Sequence, residues 1–185
     1  MVDSDKTLIG EREDLAFELS VYLSNEDRKW GTLVAWAGGT MIGDRAIPVL
    51  LGSIIHSFEH SLRWCGKRRP GYPVISAERE WNGIYSKTFG CTNDREDPSD
   101  FWYERTIVFT NFVPSFDGTV CFLLEFDDYE LLLWKSGSNS EVQSSRLKLG
   151  SYRSRVEELV NLLKLMTNPS GQAEQCGGVE PPLRR

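Results

Sequence analysis

The chain has 185 residues, of which 40% are hydrophobic and 26% charged, and its 21 basic and 27 acidic residues give a net charge of −6. This composition is typical of a globular domain and excludes a wholly disordered chain, a collagen-like repeat and a coiled coil. No apolar run approaches the roughly 20 residues that a membrane-spanning helix needs. Residues 1–6 are polar and acidic, so we expect no secretory signal and a cytoplasmic protein.

The first elements are predicted to be two strands. Residues 15–22 and 30–37 are rich in strand-forming side chains, and the glycine pair 38–39 marks a tight turn behind the second run. We expect the two strands to pair as an antiparallel hairpin. A helix is predicted over residues 46–65, with Pro48 in its first turn and apolar residues recurring on one face.

A basic loop at residues 67–69 follows this helix. If the main partner were acidic, this loop would be its expected contact surface. Ser76 is then predicted to cap a second helix, in which Ala77, Trp81 and Ile84 recur at helical spacing.

Strand patterns return in the second half of the chain, and Asp127 and Asp128 are predicted to form a hairpin turn. Ser154 and Glu157 match a capping box, which predicts a last amphipathic helix over residues 152–166. Pro, Gly and Gln dominate the remainder, so the domain is expected to span residues 1–167 and a flexible tail residues 168–185. The predicted strands of this half are 102–110, 119–126, 129–135 and 146–149.

This order of elements predicts an α+β fold, because it lacks the regular alternation of strands and helices that a doubly wound sheet requires. We expect a single antiparallel sheet of about five or six strands with two or three helices packed on it. The helices over 46–65 and 152–166 should both bury their apolar faces against that sheet.

One short motif raises the possibility of metal chemistry. His56, Glu59 and His60 match the H-x-x-E-H pattern of inverted zinc proteases, in which two histidines four residues apart hold zinc and the glutamate activates water. Glu78 and Glu80 are the candidate third ligands. The simpler interpretation is a pair of surface histidines on the polar side of the helix, and we expect neither a metal nor a cofactor.

Other signs of chemistry are missing from the sequence. It contains no nucleophile-elbow serine motif, no phosphate-binding loop and no dinucleotide-binding fingerprint. Its four cysteines form no closely spaced pair, so we expect reduced thiols rather than a zinc site or a disulfide framework. The sequence therefore predicts a protein that is not an enzyme and has no catalytic residues.

Charge is concentrated in one part of the chain. Residues 91–130 hold ten acidic and two basic residues, a net charge of −8, and many aromatic residues lie among them. Such a segment repels nucleic acid but suits a basic protein partner, because aromatic anchors beside acids can steer and hold it. A solvated acidic rim would explain the same acids. The predicted partner-binding residues are Asp94, Glu96, Asp97, Asp100, Phe101, Trp102, Tyr103, Asp127, Asp128 and Glu130.

Several segments between about Leu8 and Met166 form a pattern that is typical of a known family. They are Ile9-Gly10, Leu15-Ala16-Phe17-Glu18, Trp30-Gly31 through Trp36-Ala37-Gly38-Gly39 to Ile42-Gly43-Asp44, Leu132-Leu133-Trp134-Lys135 and Leu147-Lys148-Leu149-Gly150-Ser151-Tyr152. With these segments the chain resembles bacterial polymorphic-toxin immunity proteins, specifically the immunity protein family numbered 42. The resemblance implies a small cytoplasmic α+β protein that binds and neutralises the C-terminal domain of one cognate toxin, with no catalytic residues to transfer.

We therefore expect an immunity protein that acts by tight occlusion of a toxin domain. Steering by the acidic segment favours a basic toxin, such as a nuclease, as the partner. A generic protein-binding adaptor is the alternative, and a zinc-dependent hydrolase using His56 and His60 is a further one. Neither a membrane nor a nucleic acid is an expected partner.

Overall fold

The fold was analysed in a computed structural model, which describes residues 6–25, 28–71, 74–89, 105–109, 113–137 and 140–167. Residues 91–104 and 110–112 of the acidic segment and the predicted tail 168–185 lie outside these residues, so only 105–109 of the predicted strand 102–110 is described. Within them the protein has two antiparallel sheets and three α-helices, so the predicted α+β class is confirmed.

The first sheet is built around the predicted hairpin. Its strands are β1 (Lys6–Gly10), β2 (Leu15–Asn25), β3 (Arg28–Ala37), β4 (Thr40–Ile42) and β5 (Val49–Leu50). They lie in the order β1-β2-β3-β4, and β5 also pairs with β3. Gly38 and Gly39 form the turn after β3 with positive φ angles of 55° and 76°, which glycine adopts without steric cost.

A second sheet holds the strands of the other half of the chain, so the prediction of a single sheet is wrong. Its strands are β6 (Ile107–Val108), β7 (Thr119–Glu125), β8 (Tyr129–Ser136) and β9 (Gln143–Lys148), in that order. Successive residues of β7 are apolar, and they enter different cores. Leu123 joins the main core, whereas Phe122 and Leu124 join a second one. A strand that is apolar on both faces needs cover on both faces.

The helices are α1 (Leu51–Leu62), α2 (Ala77–Phe89) and α3 (Ser151–Thr167). The first begins later than predicted, because Val49 and Leu50 pair with β3 instead of starting the helix. The predicted cap of α2 is confirmed, since the Ser76 hydroxyl accepts a hydrogen bond from the backbone N–H of Arg79 at 3.2 Å. None of these three helices, in the part of the chain that is described, is long and apolar enough to cross a membrane.

The last helix begins at Ser151, so the predicted capping box at Ser154 lies inside it. The start of this helix is stabilised by a residue that is remote in the sequence. The two carboxylate oxygens of Glu130 on β8 accept hydrogen bonds from the backbone N–H groups of Gly150 and Tyr152, at 3.1 and 2.9 Å. A carboxylate at this position satisfies N–H groups that have no partner within the helix and complements the helix dipole.

The main core lies between the inner face of the first sheet, one face of the second sheet, and helices α1 and α3. Phe17 of β2 meets Phe58 of α1 edge to face, with ring centroids 5.6 Å apart. The second core packs Trp81 and Ile84 of α2 against the other face of the second sheet. The prediction that α1 and α3 bury their apolar faces against a sheet is therefore confirmed.

Candidate functional site

The turn between β7 and β8 carries the two aspartates that the sequence places at a hairpin tip. The side chains of Asp127 and Asp128 are 90% and 74% exposed. Each forms an ion pair, Asp127 with Arg69 at 2.8 Å and Asp128 with Arg146 at 3.2 Å. Because these pairs are open to water, they contribute little to folding stability.

Two aromatic side chains lie at the same tip. The rings of Phe126 and Tyr129 are stacked, with centroids 4.5 Å apart and planes 13° from parallel. The guanidinium carbon of Arg146 lies 3.6 Å from the centroid of the Tyr129 ring, which is a cation–π contact. We call this group the hairpin-tip surface, and its members are Arg69, Phe126, Asp127, Asp128, Tyr129 and Arg146.

The hairpin-tip surface has the composition of a protein-binding hot spot, in which tyrosine and arginine are enriched. Its formal charge is zero, since two arginines balance two aspartates. The pairing of Arg69 and Arg146 with these aspartates was not predicted, because the partners lie 58 and 18 residues apart in the chain. The acids at this tip are therefore presented as ion pairs and not as a bare negative patch.

Glu130 was grouped with these aspartates, and the structure corrects that grouping. This residue is 4% exposed, and both of its carboxylate oxygens hold the start of α3. Burial is the main cause that raises the pKa of Glu130 above its ordinary value, although the two backbone N–H groups act in the opposite direction. Its carboxylate therefore stabilises the start of α3 and is not exposed to a partner.

The other seven predicted binding residues lie outside the described residues, so their predicted role stays a prediction. They are Asp94, Glu96, Asp97, Asp100, Phe101, Trp102 and Tyr103.

The basic loop at residues 67–69 is also different from its expected form. Lys67 and Arg69 are exposed, but Arg68 is fully buried. Its guanidinium donates to the carbonyl oxygens of Arg105 and Ser61, at 2.6 and 2.7 Å. It also lies 5.0 Å from the centroid of the Tyr152 ring. Its burial was not predictable from nearby residues, because Arg105 and Glu125 lie 37 and 57 residues away in the chain.

Glu125 ties this loop to the hairpin and so positions the hairpin-tip surface. Its carboxylate accepts from the backbone N–H groups of Gly66 and Arg68, at 3.0 and 3.1 Å, and pairs with the Arg68 guanidinium at 3.4 Å. The backbone N–H of Glu125 in turn donates to the carbonyl of Arg68 at 3.1 Å. Since Arg69 is the next residue, these bonds hold it beside Asp127.

The histidine motif on α1 is not assembled into a metal centre in the described residues. His56 and His60 are exposed on the polar side of the helix, and Nε2 of His60 accepts from the Trp64 indole at 3.4 Å. Glu59 pairs with Lys164 of α3 at 2.7 Å, and this hydrogen bond lowers the pKa of its carboxyl. Among the residues described, no three His, Cys, Asp or Glu side chains are arranged to hold a metal ion.

Comparison with known proteins gives a family and a shared fold. The family model described as Immunity protein 42 matches residues 1–162. No curated protein matches the chain significantly. The crystal structure of CdiI from Burkholderia dolosa is similar, with a TM-score of 0.65 and 19% sequence identity, over 84% of this chain and 99% of that chain. At this identity the similarity shows a common fold.

Proposed function

The chain belongs to the Immunity protein 42 family and so is an immunity protein that neutralises a cognate toxin, and from this premise we propose that it acts without catalysis, by tight binding that occludes the toxin domain. The observation that carries this proposal is the family match, which extends over nearly the whole described fold. We propose further that the bound part is the C-terminal domain of the toxin and that binding takes place in the cytoplasm.

The hairpin-tip surface supports this mode of action. Its stacked rings and paired charges lie at a hairpin turn whose two aspartates are exposed, so a toxin domain can reach them. Ion pairs that are already formed can also exchange partners with charged groups of a toxin. We therefore propose that Asp127 and Asp128, with Phe126, Tyr129 and the two arginines, contact the toxin domain.

The predicted acidic segment supports a basic partner. Residues 94–100 hold four acids and one base, and a surface of that charge would raise the association rate with a basic domain such as a nuclease. We propose that these acids and the aromatic residues Phe101, Trp102 and Tyr103 also contact the toxin domain. Nucleic acid and membrane are not proposed as partners, since the chain carries a net charge of −6.

Co-expression tests the function. The candidate toxin domain is taken from the C-terminal end of the secreted protein encoded next to this gene and is expressed in a sensitive host with and without the chain. We expect growth to be rescued by the chain and by no unrelated acidic protein of similar size. Failure to rescue growth, together with no binding in a pull-down, would contradict the proposal.

The contact surface is tested with paired variants. Asp127→Asn/Asp128→Asn removes two negative charges and two exposed ion pairs at the hairpin tip. Glu157→Gln/Glu158→Gln is the matched control, because it removes the same charge and two exposed ion pairs on α3. We expect slower association with the toxin domain for the hairpin variant at low salt, and a smaller difference at high salt. Equal association rates for the two variants would exclude the hairpin tip.

A further inference from the structure

The outer face of the first sheet carries exposed apolar side chains and a cluster of charged and aromatic residues. The apolar residues of α1 and α3 join the core on the inner face, and those of α2 pack on the second sheet. None of these three helices of the described chain therefore covers the outer face. An antiparallel sheet commonly leaves one face to solvent, but that face is then usually polar.

The strand register identifies the residues on this face. Leu8 of β1 lies opposite Glu18 of β2, and Trp36 of β3 lies opposite Met41 of β4. Residues directly opposite each other in an antiparallel pair share a face. Leu8 and Met41, on the outer strands of this sheet, are 47% and 38% exposed, whereas Val34, opposite Glu18 at the centre of the face, is buried. The apolar side chains that are open to solvent therefore lie toward the edges of this face.

Trp36 lies at the centre of a polar cluster on this face. One carboxylate oxygen of Glu18 accepts from the Trp36 indole at 3.3 Å and from the guanidinium groups of Arg12 and Arg45 at 2.9 and 2.8 Å. The guanidinium carbons of Arg12 and Arg45 also lie 4.3 and 5.3 Å from the centroid of the Trp36 ring. Glu18 is 7% exposed, so the point that anchors the cluster is inside the protein.

The cluster has positive charge and hydrogen-bond donors to spare. Two guanidinium groups share one carboxylate, and each guanidinium has five N–H donors. The side chains of Arg12 and Arg45 remain 44% and 46% exposed. Two acids of the adjoining loops are occupied elsewhere, since Glu11 pairs with Lys148 and Asp44 accepts from the backbone N–H of Ala46. The complementary group for such donors is a carboxylate.

We propose that this face is a second contact surface for the toxin domain and that it binds an acidic side chain of that domain flanked by apolar groups. We call it the Trp36 surface, and its members are Leu8, Arg12, Trp36, Met41 and Arg45. The proposal rests on the proposed function. Tryptophan and arginine that are fixed in position before binding, with exposed aliphatic neighbours, have the composition of an interface hot spot.

Radical labelling of the unmodified protein tests the contact directly. Hydroxyl radicals oxidise accessible methionines, and Met41 lies on the Trp36 surface, whereas Met166 lies on α3 and serves as the internal control. In the complex with the C-terminal toxin domain, we expect the oxidation rate of Met41 to fall severalfold and that of Met166 to stay constant. An unchanged rate at Met41, or the same fall at both residues, overturns the proposal.

Substitutions test the charge of the occupant. Met41→Asp places a negative charge beside the guanidinium groups, Met41→Lys places a positive one, and Leu165→Asp is the control at an exposed leucine on α3 that is 55% accessible. We expect Met41→Asp to weaken toxin affinity by about tenfold or more, and Met41→Lys and Leu165→Asp to weaken it less than threefold. The thermal midpoint of each variant alone checks that it is folded.

The outcomes separate this proposal from the proposed function. Wild-type affinity in both Met41 variants overturns the contact surface, and an equal loss in both overturns the acidic occupant, while the immunity function stands in either case. No binding of the toxin domain by the wild-type chain contradicts the function and this surface together.

Discussion

The guanidinium of Arg68, which is fully buried, lies 3.4 Å from the carboxylate of Glu125, so a buried ion pair lies beside the turn of the β7–β8 hairpin. A buried pair is not strong evidence for high stability, because desolvation of both charges offsets their attraction. Replacing only one of the two residues lowers the stability of the fold, since the remaining buried charge is then left without its partner.

Arg68→Ala should lower the free energy of unfolding by about 3–5 kcal/mol, because it leaves Glu125 buried without its counter-charge. Arg69→Ala is the neighbouring control and should cost less than about 1 kcal/mol, since its pair with Asp127 is exposed. Urea unfolding of both variants measures the difference. Equal losses of unfolding free energy in the two variants would show that the buried ion pair stabilises the fold no more than the exposed one.

The raised pKa of Glu130 predicts how the stability of the protein depends on pH. Because burial raises the pKa of this carboxyl in the folded protein, the folded state takes up a proton at a higher pH than the unfolded state does. The contribution of Glu130 to the free energy of unfolding should therefore rise as pH falls through the raised pKa, and be complete below the ordinary pKa of about 4.3.

The Glu130→Gln variant isolates this contribution. The difference in unfolding free energy, wild type minus variant, should increase between pH 7 and pH 4.5. Asp127→Asn, which removes an exposed carboxylate of the same hairpin, is the matched control. A wild-type minus Glu130→Gln difference that is constant over this range would show that Glu130 has the same pKa in the folded and unfolded states.

Substitution by alanine is expected to have opposite effects on stability at two glycines. In Gly31→Ala the new Cβ would lie 2.3 Å from the carbonyl oxygen of Ser20, so β2 and β3 must separate, and we expect a loss of about 1–3 kcal/mol. In Gly83→Ala the new Cβ has no neighbour within 4 Å, and alanine favours helix α2, so we expect a gain of up to about 1 kcal/mol. Thermal unfolding of the two variants should move the midpoint in opposite directions.

The histidine motif predicts a negative result. Because His56 and His60 are exposed and Glu59 is paired with Lys164, the double variant His56→Ala/His60→Ala should protect cells from the toxin as well as the wild type does. Metal analysis of protein purified without a histidine tag is the second measurement. Stoichiometric zinc in the wild type, lost together with protection in the variant, would instead support the hydrolase alternative.

Local sequence signals predicted the elements whose determinants are close together in the chain. The strands β2 and β3 follow from their strand-forming residues, the turn after β3 follows from the glycine pair 38–39, and the start of α2 follows from the hydroxyl of Ser76. The apolar face of α1 likewise follows from helical spacing, with Ile54 and Phe58 buried.

Features that depend on remote contacts were not predictable in this way. The start of α3 is set by Glu130, which lies 22 residues before Tyr152, so the nearer capping-box pattern at Ser154 was misleading. The burial of Arg68 depends on Glu125, 57 residues away. The division into two sheets depends on which strands pair with which, and periodicity along one strand does not reveal that. At the hairpin tip, the aspartates were predicted, but the arginines that pair with them were not.

The central claim is that the chain neutralises its toxin by direct, stoichiometric binding. Titration calorimetry with the purified C-terminal toxin domain, combined with an assay of toxin activity on the same samples, tests it most directly. We expect one-to-one binding with nanomolar or tighter affinity, and toxin activity that falls to zero at the same one-to-one ratio. Protection at ratios far below one-to-one, or protection without measurable binding, would contradict it.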